Sequence, residues 1–177
     1  AGEDSVALSE RGDYAANLER ATAAAPAPAA EVPLQSIKEV HTPGAGRVED
    51  VCRMLGTQPR EMIKTLVYQG THGAGLPLRV VALVRGDHEI SELKLNKVAG
   101  TPLELADPAV IEAVTGAKVG FAGPHGVIER IDKLIVDREV AVLRNAATGA
   151  NKTDFHVTGV NPGRDFPLSG EKVTVAD

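Results

Sequence analysis

Two apolar runs constrain the fold more than any other feature of this chain: residues 64–68 (KTLVY) and 78–84 (LRVVALV). Both are short and apolar almost throughout, the pattern of strands buried in a sheet. The glycine-rich stretch at 70–77 (GTHGAGLP) reads as the loop joining them. Helical signals surround the pair. Val48, Val51, Cys52 and Leu55 recur at i, i+3, i+4 and i+7, one apolar face of a short helix. Glu49 and Asp50 sit in its first turn, where negative charge suits the dipole. Thr57 before Gln58-Pro59 reads as a second helix start. Gly86-Asp87-His88 turns the chain into a helix through Leu93 and Val98. Asp107-Pro108 and Gly116 bound another helix, which carries Val110, Ile111 and Val114. Residues 134–136, 140–143 and 155–160 read as further strands. The fold class is mixed α/β, with a central, partly antiparallel sheet and short flanking helices.

The 177 residues, 43% of them hydrophobic, suffice for one core with flanking segments. Residues 1–20 are polar, with a helix-like stretch at 13–20 (DYAANLER). The Ala/Pro tract at 21–33 (ATAAAPAPAAEVP) reads as an extended linker, because alternating proline blocks a helix. A compact domain is expected over 34–160, with host-flanking segments at 1–33 and 161–177. The first residue is Ala, which suggests an excised piece of a longer chain. No apolar run is long enough for a membrane span.

Nineteen Lys and Arg against 24 Asp and Glu leave a net charge of −5 with no basic stripe. That excludes broad binding along a nucleic-acid backbone, but not capture of one nucleic-acid end in a pocket. Two Tyr, three Phe and no Trp are too few rings for binding by aromatic stacking on a single strand. The lone Cys52 excludes an internal disulfide and a multi-cysteine zinc site, and fits a reducing, cytoplasmic setting.

Gly44-Ala45-Gly46 lacks the preceding strand and third glycine of a dinucleotide fingerprint and reads as a turn. His41, His72, His88, His125 and His156 make no close metal-ligand pair, and no GxSxG elbow is present. No metal or cofactor is expected, and a hydrolytic site would use water or a group on the substrate as nucleophile. Cys52 falls on the apolar helix face and reads as core. Lys64, at the mouth of a buried strand, either snorkels to solvent or points into a cleft. Residues 120–124 (GFAGP) form a tight loop, either a plain connection or a backbone nest able to approach an anion. Gly149-Ala150-Asn151 with Phe155-His156 makes a third polar loop-to-strand junction.

Taken in order, these stretches resemble the insertion domain of bacterial prolyl-tRNA synthetase, the editing domain of the YbaK-like family. DYAANLERA is similar to the segment entering the insertion, and EVHTPGAGRVEDVCRMLG to the family's threonine-proline turn and first helix. REMIKTLVY resembles the lysine strand, LVRGDHEISELKLNKV the arginine-glycine-aspartate-histidine stretch, and GFAGP the GxxxP loop. LIVDREVA, GAN and FHVTGVNPGRDF close the domain. Two departures lie in the flanks. Pro162 follows the final GVN where many members have tryptophan, and the cysteine pair some relatives carry before YAAN is absent.

The resemblance implies a YbaK-like fold and a cytoplasmic aminoacyl-tRNA deacylase that edits Ala-tRNA(Pro) in cis within a proline-tRNA ligase. Its partners would be the alanine-charged acceptor end and the catalytic and anticodon-binding domains of the host, with no membrane. By the same likeness, Val48 and Val51, with Thr42 nearby, line a small acyl pocket that excludes proline by size. Lys64 holds the 3′-terminal adenosine, and Gly120 and Pro124 bracket a loop that orients the ester carbonyl. His156 contacts the aminoacyl end, while Asp137 and Asn151 shape the floor. Two other readings are a trans-acting deacylase for a Cys or Ser ester and a non-catalytic tRNA-binding insertion.

Overall fold

The computed structural model describes residue 26, residues 31–168 and 173–176, and the backbone of 6–8 and 15–17. Most of the Ala/Pro tract at 21–33 lies outside the described residues. Strands β1 (Val6–Leu8) and β2 (Ala15–Asn17) pair antiparallel. The helix expected over 13–20 is thus strand where it is described, cross-strand pairing overriding the helix preference of its alanines.

The main body then runs β3 (Lys38–His41), α1 (Val48–Leu55), β4 (Ile63–His72), β5 (Leu76–Arg85) and α2 (Glu92–Ala99). It continues through β6 (Leu103–Leu105), α3 (Pro108–Thr115), β7 (Lys133–Val136), β8 (Ala146–Gly149) and β9 (Phe155–Val160). One sheet has the order β6-β4-β5-β7, with β7 parallel to β5 and the other pairs antiparallel. The second, all antiparallel, has the order β3-β9-β8. The β4–β5 hairpin pairs from Ile63 opposite Arg85 to His72 opposite Leu76. Most of the glycine-rich stretch is therefore strand, and only 73–75 turn the chain.

Alternation along β4 and β5 explains their apolar composition. Ile63, Val67, Val81 and Leu83 face one layer, with Val114 of α3 and Val157 and Val160 of β9. Tyr68, Val80, Ala82 and Val84 face the other, with Leu95 of α2 and Val175. Both faces are covered, so neither can be polar.

Residues 140–143 were expected to be strand. Val140–Val142 instead form a 3-10 turn, the N–H groups of Val140 and Ala141 both donating to the Asp137 carbonyl at 3.0 and 3.3 Å. The helix start at Thr57 yields a single 3-10 turn, Pro59–Glu61, closed by a Gln58/Glu61 capping box. Packing also continues past Val160. Phe166 is buried against the β9 layer, and the Asp137 carboxylate accepts N–H bonds from Glu139 (3.0 Å), Val175 (2.9 Å) and Ala176 (3.2 Å).

The two sheets meet beside the start of β4. Met62 bridges to Ala147 at an irregularity in β8, and the Thr148 hydroxyl donates to the Ile63 carbonyl at 3.0 Å. On this junction rests α1, burying Val51 and Cys52 against Met62 and Ala147. Burial is the main cause that raises the Cys52 thiol pKa, with Glu49 and Glu61 adding to it. Among the described residues no helix is long and apolar enough to cross a membrane.

Candidate functional site

A cleft of about 350 Å³ opens at this junction. Its wall on one side is α1, whose residues Val48 and Val51 both line it, as the i, i+3 spacing requires. Met62 and the start of β4, with Ile63, Lys64 and Thr65, form a second side, and Val119, Gly120 and Ala122 form a third. His156 of β9 also reaches the lining. Lys64, Gly120, His156, Val48 and Val51, all named from sequence, therefore share one cavity.

Lys64 does not snorkel freely. Its side chain is 16% exposed and Nζ donates to Glu89 Oε1 at 2.8 Å. One carboxylate occupies one of the three ammonium donors, which leaves the others for a ligand.

His156 is buried, with Nδ1 2.7 Å from the Thr42 hydroxyl and its ring tilted against Phe121 at 5.5 Å. Desolvation is the main cause that lowers its pKa below the ordinary value, and a backbone hydrogen bond with Gly120 works the other way. A neutral ring that accepts the Thr42 hydroxyl at Nδ1 fits this lowering. Burial likewise lowers the pKa of His125. In both cases the unfolded chain takes up a proton before the folded one does. Their contribution to stability is complete above about pH 6.5 and is lost as pH falls below that value. The thermal midpoint is therefore expected to drop between about pH 7 and pH 5, and His156→Gln to flatten that drop in a pH series of melts. An unchanged slope in the variant would show that His156 is not the titrating group.

Backbone contacts fix the glycine loop. Gly120 has φ of +97°, and a Cβ there would stand 2.6 Å from Gly46 Cα, so the 42–46 turn and the loop touch main chain to main chain. Gly123 and Gly149 make a similar approach on the other side. Asn151, in the left-handed region at φ +55°, clamps the loop from behind. Its Oδ1 accepts from Gly123 N–H and its Nδ2 donates to the His125 carbonyl, both at 2.7 Å, while its own N–H donates to the Phe121 carbonyl at 2.9 Å. Gly120 and Ala122 line the cleft, and neither donates its N–H to another described residue.

Four residues named from sequence lie elsewhere. Thr42 and Pro124 are buried and off the lining, Thr42 serving His156. Asn151 and Asp137 were expected on the floor, and neither lies there. The polar atoms of Asn151 are spent on the loop, and the Asp137 carboxylate holds the backbone at 139 and 175–176. Sequence reasoning missed Arg47, Leu105, Ile111 and Val119, which all line the cleft. Arg47 carried a findable signal, since it directly precedes the helix start at Val48.

The profile of the aminoacyl-tRNA editing domain matches residues 42–166. Proline–tRNA ligase of Thermoanaerobacter sp. (strain X514) is 42% identical over 168 residues, 93% of this chain. That of Xanthomonas campestris pv. campestris (strain 8004) is 42% identical over 177 residues, 99% of the chain. The chain spans only 28% and 30% of the length of these two relatives. Among solved structures, a protein described as a candidate trans-editing enzyme for prolyl tRNA synthetase superposes with a TM-score of 0.56. It is 20% identical, over 69% of this chain and 74% of its own. The hypothetical protein APE2540 gives 0.58 at 22% identity, over 70% and 79%. These two likenesses establish a shared fold. With the profile covering well over half the residues, from Thr42 through the cleft to Phe166, the chain belongs to the aminoacyl-tRNA editing domain family.

Proposed function

We propose that this domain hydrolyses the ester of alanine mischarged onto tRNA(Pro) and rejects proline by size. One observation carries the reading: a half-buried lysine, a loop with two uncommitted backbone donors and a wall of two β-branched residues converge on a single cleft. A synthetic pocket shaped for proline cannot sterically refuse the smaller alanine, and a missing methylene is worth only about 1–3 kcal/mol of discrimination. A second site that admits alanine alone makes up the difference. Val48 and Val51 suit that wall because their χ1 angles are stiff.

In this reading the Lys64 ammonium holds phosphate or ribose oxygens of the 3′-terminal adenosine. Water adds to the ester carbonyl carbon, and the N–H groups of Gly120 and Ala122 receive the developing oxyanion. His156, its Nδ1 engaged by the Thr42 hydroxyl and its ring packed on Phe121, keeps the loop in place at the aminoacyl end. The water proton passes to the neighbouring ribose hydroxyl, which relays one to the departing ester oxygen as the carbon–oxygen bond breaks. Alanine and free tRNA result.

The domain would act within a cytoplasmic proline–tRNA ligase whose catalytic and anticodon-binding domains grip the tRNA body, the editing body at 34–160 being joined to that host by the flanks. Labelled Ala-tRNA(Pro) should lose its amino acid in the presence of this chain while Pro-tRNA(Pro) keeps its own. Equal loss of both esters would remove the size sieve. Survival of both at high enzyme concentration would leave a tRNA-binding insertion.

A further inference from the structure

We propose that the outer end of the cleft is a nucleotide subsite, in which Leu105 and Val119 hold the terminal adenine between aliphatic side chains and Arg47 takes its phosphate. This rests on the editing function proposed above and adds the residues that grip the nucleic-acid part of the substrate.

The cleft is larger than an alanyl group, whose side chain is one methyl, so most of its 350 Å³ serves something else. Two large aliphatic residues line it while standing well out in solvent, Leu105 at 61% and Val119 at 57% exposure. They come from different elements, Leu105 from β6 and Val119 from the loop after α3. Leu66 and Ile111 continue the apolar surface inward. No Phe, Tyr or Trp lines the cleft, so a purine there has aliphatic surface and not rings to lie against.

The two charged residues of the lining, Arg47 and Lys64, are both basic. Arg47 is exposed, lines the cleft and forms no ion pair among the described residues. Cations elsewhere among the described residues also lack an ion pair, Lys97 and Lys118 among them; what sets Arg47 apart is its place on the cleft, whose other cation, Lys64, is held by Glu89. A flat apolar ring carried next to an anion is the chemistry that satisfies both the exposed aliphatic pair and the unpaired guanidinium, and a 3′-terminal nucleotide has it.

The probe is an acceptor-stem minihelix ending in CCA with alanine attached through a non-hydrolysable 3′-amide, compared with one whose last nucleotide lacks its base. Leu105→Ser and Val119→Ser, both on exposed side chains, are expected to weaken binding of the first about tenfold and to leave binding of the abasic probe unchanged. On the ester substrate, KM should rise with kcat nearly constant. Arg47→Gln should reduce the slope of log affinity against log salt by about 0.7, the value for one phosphate on a single strand. Serine variants that bind both probes as the wild type does, or an unchanged salt slope in Arg47→Gln, would overturn the subsite. If the wild type binds the amide probe with these dependences but leaves the ester intact, the hydrolytic reading fails and the subsite stands.

Discussion

Replacing Lys64 with alanine is expected to remove deacylation of Ala-tRNA(Pro) while leaving the domain folded. The ammonium lies at the rim of the cleft on a strand paired along its whole length, so no neighbouring side chain can move in to replace it. Truncating one partner of a desolvated charge pair costs about 2–5 kcal/mol, which places the fall in kcat/KM at about thirtyfold or more. Stability should barely change, because the one ion pair of Lys64 among the described residues is with Glu89, whose side chain is 83% exposed. Such pairs are worth about 1 kcal/mol or less. Lys64→Arg should not rescue activity, since a planar fork cannot stand in for a compact ammonium. Single-turnover rates and melting curves on the three proteins check this, and a Lys64→Ala enzyme within tenfold of wild type would exclude the assigned role.

The second large effect is expected at Gly120. An alanine there must adopt φ near +97° and fit its Cβ 2.6 Å from Gly46 Cα and 2.8 Å from the Gly46 carbonyl oxygen. Strain of this kind costs about 1–3 kcal/mol, and the loop can relieve it only by withdrawing from the 42–46 turn. That movement carries the Gly120 and Ala122 N–H groups away from the carbonyl they are assigned to bind. A displacement of about 1 Å can cost a hundredfold, so kcat should fall far more than KM rises. Gly44→Ala is the control: φ is +70° there too, but a Cβ meets nothing within 4 Å. It should share the backbone strain and keep the activity. Equal losses in the two variants would show that strain alone, not loop position, is responsible.

What could be read from the sequence was whatever is written in local spacing. The i, i+3, i+4, i+7 face of α1, the apolar runs of β4 and β5, and the Asp107-Pro108 start and Gly116 stop of α3 all appear where the residues point. The elements missed are short and lean on distant partners. β8 is Ala-Ala-Thr-Gly, four buried residues of which only Thr148 favours a strand, held by β9 and by the Met62 bridge. β6 has three residues and exists through its pairing with β4. Val140, Ala141 and Val142 are as apolar as a strand, and the bonds back to Asp137, with that from Leu143 N–H to the Val140 carbonyl, curl them into a turn. The site divides in the same way. Lys64 and the GFAGP loop stand out locally. The partnership of Thr42 with His156 spans 114 residues and that of Asn151 with Gly123 spans 28, and neither spacing leaves a periodic trace. For the same reason Asp137 and Asn151 could be singled out without being correctly placed.

The contrast between the two sides of the cleft bears on how this family can change over time. On the loop side, main chain meets main chain at Gly46 and Gly120, and again at Gly123 and Gly149, so almost any substitution there disturbs the geometry. On the α1 side the lining is made of side chains, Val48 and Val51, and if they gauge the acyl group as proposed above, a change at either would alter the bore. Under the proposed sieve, acyl preference would then shift by single substitutions on one helix face while the loop opposite is kept. A scaffold divided in this way can be re-sized for a different small amino acid without having to reinvent hydrolysis.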